Sequence, residues 1–322
     1  MIRKKILKNI EDTYTTEQEL LKSLDITHEK LKEHILKLKD VGYKIVYDEE
    51  KGYKLQETPD ILAPYEISRG LKTEKIGNSI HFYDELESTN DTAKKFVKED
   101  AKEGTVIIAE KQTAGRTRKY DGWVSPEGGI YMTIILRPDV PLIEASKLTI
   151  VTGVAIAKTL HDKFGINAGI KWPNDILIDD KKIAGILTEA VTNYSTSELE
   201  AVLVGIGIDV NIEDEDIPEE LQDVATTVKK EINEELKRAD ILRVFLYIFE
   251  ELYEEFNKGN FKYIVSEWRR LSSTTGNRVK VYKNGRVLFA DAVGITNEGI
   301  LIVEKDDGKL EKITSGEVEI LK

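Results

Sequence analysis

The sequence predicts an α+β multidomain protein: an N-terminal winged helix-turn-helix, a central domain built on a mixed α/β sheet, and a small C-terminal β-barrel. Three observations carry this reading. Residues 1–57 show three short helical periods and then a hairpin pattern. Residues 65–271 interleave strand-like runs with long helical ones. Residues 272–322 hold short alternating runs split by Asn-Gly, Asn-Glu-Gly and Asp-Asp-Gly turns. The stretch "ETPDILAP" carries two prolines, so residues 58–64 are expected to form the linker between the first two domains.

In the first domain Ile2, Ile6, Leu7 and Ile10 recur at helical spacing, and Thr16 stands three residues before Glu19, the sign of a capping box. In "DITHEKLKEHILKLKDVGY", Thr27 is the expected cap, Leu31, Ile35 and Leu38 the apolar face, and Gly42 the stop. "YKIVYDEEKGYKLQ" alternates around an acidic, glycine-containing turn, as a two-stranded wing does.

The central domain is expected to place strands at Ile80–Tyr83, Thr105–Glu110, Tyr131–Leu136, Ile176–Ile178, Ile183–Ala190 and Ala201–Val210. Helices are expected at Asn90–Lys98, Ser146–Phe164, Arg238–Asn257 and Phe261–Leu271. Two strands within "GIKWPNDILIDDKKIAGIL" meet at a short polar turn, which argues for a mixed sheet over a doubly wound one.

Composition narrows the chemistry. With 322 residues, 40% of them hydrophobic, the chain has enough apolar material for two or three domains. No apolar run approaches the roughly 20 residues that span a bilayer, and "MIRKKILKNIEDTY" lacks the core of a signal peptide, so a cytoplasmic protein without membrane contact is expected. Zero cysteines exclude disulfides and thiol chemistry, and four scattered histidines argue against zinc. Lys, Arg, Asp and bound metal remain as the sources of catalysis. A net charge of -12 speaks against diffuse nucleic-acid binding and leaves room for a local contact surface.

Four segments carry more than their local structure requires. In "ESTNDTAKKF", Ser88, Thr89 and Asn90 fall between a strand and a helix, where capping alone explains hydroxyls. "QTAGRTRKYDGWVSPEGG" (112–129) reads as one loop that combines glycines with Arg116, Arg118 and Lys119 and sets Trp123 after them. Backbone mobility, positive charge and a flat ring suit a wrapped anion with a stacked base. A solvated basic loop is the plain alternative. In "KWPNDILIDDKKIAGIL" an ordinary hairpin explains Asp179-Asp180 but not Lys171 and Lys182 at the strand ends, nor Gly185 beside Lys182. In "LVGIGIDVN", Gly205 and Gly207 face the same way on a buried strand and describe a flat slot.

These segments, as "ESTN", "QTAGR.R....W.SP.GG.Y", "KWPNDI.......K.AGIL.E" and "G.GI...N", resemble the biotin–protein ligases, over nearly the whole chain. The helices and hairpin in front resemble the bifunctional class that also represses transcription. The resemblance implies a biotin/lipoate-ligase-type central domain, an SH3-like C-terminal barrel, and the substrates biotin and ATP with Mg²⁺, whose ligands stay unassigned. Ser88, Thr89, Asn90, Gln112, Gly115, Arg116, Thr117, Gly185 and Leu187 would surround biotin. Arg116, Arg118 and Lys182 would face the carboxylate and α-phosphate. Trp123 would cover the adenine, and Lys119, Lys171, Asn174, Gly205, Gly207 and Asp209 would complete the nucleotide side. Lys182, Arg118 and Asp175 would be catalytic, Asp175 acting on the incoming lysine of a biotin carboxyl carrier protein.

The resemblance also implies a homodimer that binds operator DNA through Thr27, His28, Lys30, Leu31, His34 and Lys37. Three positions depart from the family pattern: Thr117 stands where glycine is usual, Asp121 where arginine is frequent, and Asp209 where asparagine is usual. A lipoate or octanoate ligase of the same fold is the nearest alternative, although the Arg-Arg and glycine triplet usual there have no match. A biotin-sensing transcription factor without ligase activity is another. For residues 1–57 alone, a dimerisation or docking module is the plainer reading.

Overall fold

A computed structural model describes residues 2–118, 122–193, 196–283 and 285–321. Its contacts divide the chain into two units, Met1–Leu71 with Lys237–Arg243, and Lys72–Leu236 with Val244–Lys322.

In the first unit, helices α1 (Ile2–Ile10), α2 (Glu17–Leu24) and α3 (His28–Asp40) precede the antiparallel pair β1 (Lys44–Asp48) and β2 (Gly52–Glu57), and α4 (Pro64–Arg69) follows. Thr16 and Glu19 form the full capping box on α2, and the Thr27 hydroxyl accepts the Lys30 N–H at the start of α3. Ile6, Leu7, Ile10, Leu20, Leu31 and Leu38 are fully buried together. Leu31 is therefore corrected from a DNA contact to a core residue, since it faces the other helices. Thr27, His28, Lys30 and Lys37 are exposed, and His34 is half-buried.

This unit reaches beyond residue 57. Asp60 accepts the Arg238 backbone N–H and its guanidinium, each at 2.7 Å. Buried Glu66 pairs with Arg69 at 2.6 Å, accepts the Tyr43 hydroxyl, and lends its carbonyl to Arg243 at 2.9 Å. A buried carboxylate is tolerated only with such partners, and they bind the expected linker into the unit.

In the second unit, β3 (Ser79–Leu86), α5 (Thr89–Lys98), β4 (Thr105–Gly115), β5 (Trp123–Ser125) and β6 (Ile130–Leu136) lead to α6 (Lys147–Lys158). Then come β7 (Gly169–Lys171), β8 (Asp175–Ile178), β9 (Lys181–Thr192) and β10 (Leu199–Ile208). The sheet order is β3-β4-β6-β10-β9-β8-β7, with β5 pairing to β4. The β3–β4 pair is parallel, whereas β4–β6, β6–β10, β10–β9 and β9–β8 are antiparallel, so the sheet is mixed as expected. Asp179 and Asp180 both take positive φ, 44° and 69°, in the tight turn joining β8 to β9. No helix of the described residues is long and apolar enough to cross a membrane.

Two expectations about this unit change. The stretch 112–129 is not one loop: β4 runs on to Gly115, and β5 returns along it with Gln112 opposite Ser125 and Gly115 opposite Trp123. Thr113 and Ala114 are exposed on this ribbon, so it lacks the apolar alternation that marks a half-buried strand. The long helix expected at 146–164 is α-helical only to Lys158 and continues as a π turn over Thr159–Lys163. There the Thr159 hydroxyl bonds back to the Ala155 carbonyl and competes with the backbone ladder.

The chain goes on through α7 (Val228–Ile232), α8 (Arg238–Asn257) and α9 (Phe261–Arg270), the start of α8 being counted with the first unit. It ends in β11 (Arg278–Lys283), β12 (Arg286–Ile295), β13 (Leu301–Glu304), β14 (Leu310–Ile313) and β15 (Glu317–Ile320), an antiparallel sheet of order β14-β13-β12-β11-β15.

Candidate functional site

The floor of the site is set by strand register. Gly185 on β9 stands opposite Gly207 on β10, and Leu187 opposite Gly205. A Cβ at Gly185 or at Gly207 would lie 2.6 Å from the Trp123 indole, and a Cβ at Gly205 would lie 2.2 Å from the Asn90 side-chain oxygen. Three missing side chains thus let an indole and an amide rest on the sheet backbone.

The closed end of the slot carries neutral hydrogen-bonding groups. Ser88, at the N-cap position of α5, is buried yet makes no capping hydrogen bond, so capping does not account for "ESTN". The Thr89 backbone N–H and hydroxyl meet Gln112 Oε1 at 2.8 and 3.1 Å. Gln112 Nε2 donates to Ser125 Oγ at 3.0 Å, and the Thr133 hydroxyl lies 2.6 Å from Asn90 Oδ1. A cavity of about 50 Å³ remains among these groups, Trp123 and the glycines.

The mouth is cationic. Arg116 Nε is 2.8 Å from Asp91, and Arg118 donates to Asn174 Oδ1 at 3.2 Å and to the Gly316 carbonyl at 3.4 Å. Lys182 Nζ lies 2.7 Å from Asp175 Oδ1 and 4.9 Å from the centre of a Trp123 ring, a cation–π distance. Lys171 holds the other Asp175 oxygen at 3.3 Å. Asn174 is itself fixed, its Nδ2 donating to the Ile186 carbonyl at 3.1 Å.

Beyond Trp123 opens a second cavity of about 320 Å³, which shares Thr117, Arg118, Asn174 and Lys182 with the first and adds Lys171, Asp175 and Asp209. Asp209 Oδ1 is buried there without a hydrogen-bond partner among the described residues. Burial pushes its carboxyl up to about 8, against the opposing pull of Lys182.

The expected residues therefore converge, with two exceptions. Gly115 does not line either cavity: a Cβ there would stand 2.4 Å from the Trp123 carbonyl, so the glycine serves the close β4–β5 pairing. Lys119 and Asp121 lie outside the described residues. Sequence reasoning passed over Thr133, Ser125 and Glu189. Thr133 is the one aliphatic hydroxyl in the wholly buried run "IYMTIIL", and that anomaly was the available signal. Glu189 closes the "K.AGIL.E" pattern and pairs with Asn90 and Lys94 at 2.7 and 2.8 Å.

Residues 83–209 match the model of the biotin/lipoate A/B protein ligase family, and residues 274–321 match the biotin protein ligase C-terminal domain. The chain is 36% identical to the bifunctional ligase/repressor BirA of Bacillus subtilis over 304 residues, 94% of this chain and 93% of that one. It is 27% identical to BirA of Escherichia coli over the same share of this chain and 92% of that protein. Among solved structures it resembles the biotin protein ligase from Aquifex aeolicus in complex with biotin and ATP, at 28% identity and a TM-score of 0.65, over 76% of this chain and 99% of that one. With this floor, this ring of cations and these matches, the chain belongs to the biotin protein ligase family.

Proposed function

We propose that the chain is an ATP-dependent biotin–protein ligase. The observation that carries this reading is the polarity of the slot, neutral at its closed end around Thr89, Asn90 and Gln112 and cationic at its mouth around Arg116, Arg118 and Lys182. Biotin has the same polarity, a neutral cyclic urea at one end and a carboxylate at the other. The similarity to bifunctional ligase/repressors along 94% of the chain supports it.

In the first step a biotin carboxylate oxygen attacks the α-phosphorus of ATP, and pyrophosphate leaves to give biotinyl-5'-adenylate. Two anions must meet, so placed cations are the main requirement, and Lys182, Arg118 and Arg116 supply them. Ser88, Thr89, Asn90 and Gln112 hold the urea end above Gly205. The nucleotide occupies the larger cavity beside Trp123, Lys171, Asn174 and Asp209. In the second step the neutral amine of a carrier-protein lysine attacks the acyl carbon, AMP departs with the electron pair of the acyl–oxygen bond and the amine proton passes to water, with Asp175 orienting the incoming group. Among the described residues no three acidic or histidine side chains converge, so the Mg²⁺ that the resemblance implies would be held mainly by the ATP phosphates and water, where it would offset phosphate charge.

The first unit reads as a winged helix-turn-helix whose α3 presents Thr27, His28, Lys30 and Lys37 to operator DNA, with His34 at the margin. The C-terminal sheet reads as an SH3-like barrel, and the active repressor as a homodimer. Pyrophosphate release with biotin, lipoate and octanoate in turn, followed by transfer of labelled biotin to a biotin carboxyl carrier domain, tests the ligase reading. Release with lipoate or octanoate alone would overturn it. A mobility shift of the protein's own upstream DNA that needs biotin and ATP tests the repressor reading.

A further inference from the structure

The sheet row after Gly205–Leu187 is Leu203–Glu189, so Glu189 stands at the far end of the slot on the same face of β9 as Gly185 and Leu187. From there it bridges to α5: one carboxylate oxygen accepts Asn90 Nδ2 at 2.7 Å and the other accepts Lys94 Nζ at 2.8 Å. Asn90 is 3% exposed, and its Oδ1 lies over the Gly205 backbone within 2.6 Å of the Thr133 hydroxyl.

An asparagine amide has two orientations, which exchange an acceptor for a pair of donors. Thr133 does not choose between them, because a hydroxyl donates or accepts with equal ease. A carboxylate only accepts. Glu189 is therefore the group in this cluster that imposes a direction, turning the Asn90 NH₂ away from the cavity and its carbonyl oxygen toward Gly205.

We propose that Glu189 is a positioning residue for substrate recognition: it locks the Asn90 amide with its oxygen presented at the closed end of the slot, where an N–H-bearing cyclic urea is to be read. This rests on the slot holding biotin as described above. A urea offers two N–H donors, so a carbonyl oxygen matches it, whereas a flipped amide would set donors against donors. The carboxylate is suited to the task. Burial alone would raise Glu189, but the hydrogen bonds from Asn90 and Lys94 and the positive charges of Lys94 and Arg116 hold it below the usual carboxylate range.

The test measures biotin affinity by calorimetry, and KM and kcat for biotin and ATP, on the full chain. Glu189→Gln presents an amide that accepts or donates, so the lock is lost. Biotin binding should weaken about tenfold with KM for ATP and kcat unchanged, the scale of one hydrogen bond to a charged group. In the Asn90→Ala background the same change should add nothing. Lys94→Met removes the anchor of α5 and one cation beside Glu189 but leaves a carboxylate on Asn90, so it should weaken biotin binding clearly less than Glu189→Gln does. Parent-like binding by Glu189→Gln, losses that add in the double variant, or the whole effect reproduced by Lys94→Met would each overturn the proposal. Should Glu189→Gln fail to unfold cooperatively, Glu189→Asp is read in its place: it keeps the acceptor, so a smaller weakening confined to biotin is expected, and none would count against the inference. If Asn90→Ala itself binds biotin like the parent, the reading of the slot fails instead.

Discussion

Lys182 sets its ammonium 2.7 Å from one oxygen of Asp175, while Lys171 holds the other oxygen at 3.3 Å. Asp175 thus has both oxygens engaged by cations, and Lys182 is aimed past it at the face of Trp123. Incoming carboxylate and phosphate groups would compete for Lys182, and the aspartate would hold the ammonium in the slot until they arrive.

Removing that ammonium should therefore cost chemistry without costing the fold. Lys182→Ala is expected to keep its thermal unfolding midpoint near the parent, because the side chain is partly exposed. It should lose adenylate formation by at least about 1.5–3 kcal/mol, roughly ten- to a hundredfold and more, the cost of a missing charge-assisted contact. Pyrophosphate release in single turnover measures it, and a parent-like rate would remove Lys182 from the site.

Two of the floor glycines, Gly205 and Gly207, should separate the two ends of the slot. Gly205→Ala puts a methyl 2.2 Å from the Asn90 oxygen, whereas Gly207→Ala puts one 2.6 Å from the Trp123 indole. Both approaches are too short to be absorbed without movement. The first is expected to raise KM for biotin and leave tryptophan fluorescence unchanged; the second should shift the fluorescence and raise KM for ATP. If both variants respond alike, the urea and nucleotide ends are not divided as described.

Much of this site was legible in the sequence because its residues are locally anomalous. Glycines at alternate positions of an apolar strand, lysines at the ends of a hairpin and a tryptophan among basic residues each exceed what local structure needs. The β4–β5 ribbon was hidden for the opposite reason: exposed Thr113, Ala114 and Val124 stand among half-buried Gln112 and Trp123 and buried Gly115 and Ser125, so no apolar alternation marks it as strand. Glu189 was hidden because an acidic residue at a strand end looks solvated, and its partners Asn90 and Lys94 stand almost 100 residues earlier. Leu31 was given two roles that exclude each other, the apolar face with Ile35 and Leu38 and a DNA contact beside Lys30, and its burial keeps only the first.

Asp209 predicts a pH dependence of stability. Burial, offset in part by Lys182, raises its carboxyl from 3.8 to about 8 in the folded chain. An acid raised in this way stabilises the fold while protonated, so its contribution is complete below the ordinary 3.8 and is lost as the pH climbs through 8. Asp209→Asn keeps the shape and carries no charge. The unfolding midpoint of the parent should fall relative to the variant between about pH 4 and pH 8 and hold a constant gap above that. Parallel curves for the two proteins across this window would show that the carboxyl is solvated.

Arg118 stands at the start of the segment that leads to Trp123, and its guanidinium joins two places the loop must close against. It donates to Asn174 Oδ1 at 3.2 Å, on the turn before β8, and to the Gly316 carbonyl at 3.4 Å, just before β15. Each contact is long and partly exposed, so neither stabilises the fold by much; on the proposed reading their value would be to hold Arg118 over a bound phosphate. An acyl phosphate reacts with any amine and with water, so an adenylate that waits for a carrier protein has to be covered. Arg118→Gly should form adenylate, because Lys182 remains, but release it faster by about tenfold or more, the scale of a lost charge-assisted contact. The escaped intermediate would acylate exposed lysines on bystander proteins. Arg118→Lys should recover little of the retention, since a point charge lacks the fork that reaches two acceptors at once. Thr117, β-branched beside it, limits how far the backbone can compensate. The dissociation rate of labelled biotinyl-adenylate from the three proteins decides the matter, with bystander labelling as companion readout, and an unchanged rate in Arg118→Gly would pass the latch to Trp123, whose indole already lies across Gly185 and Gly207.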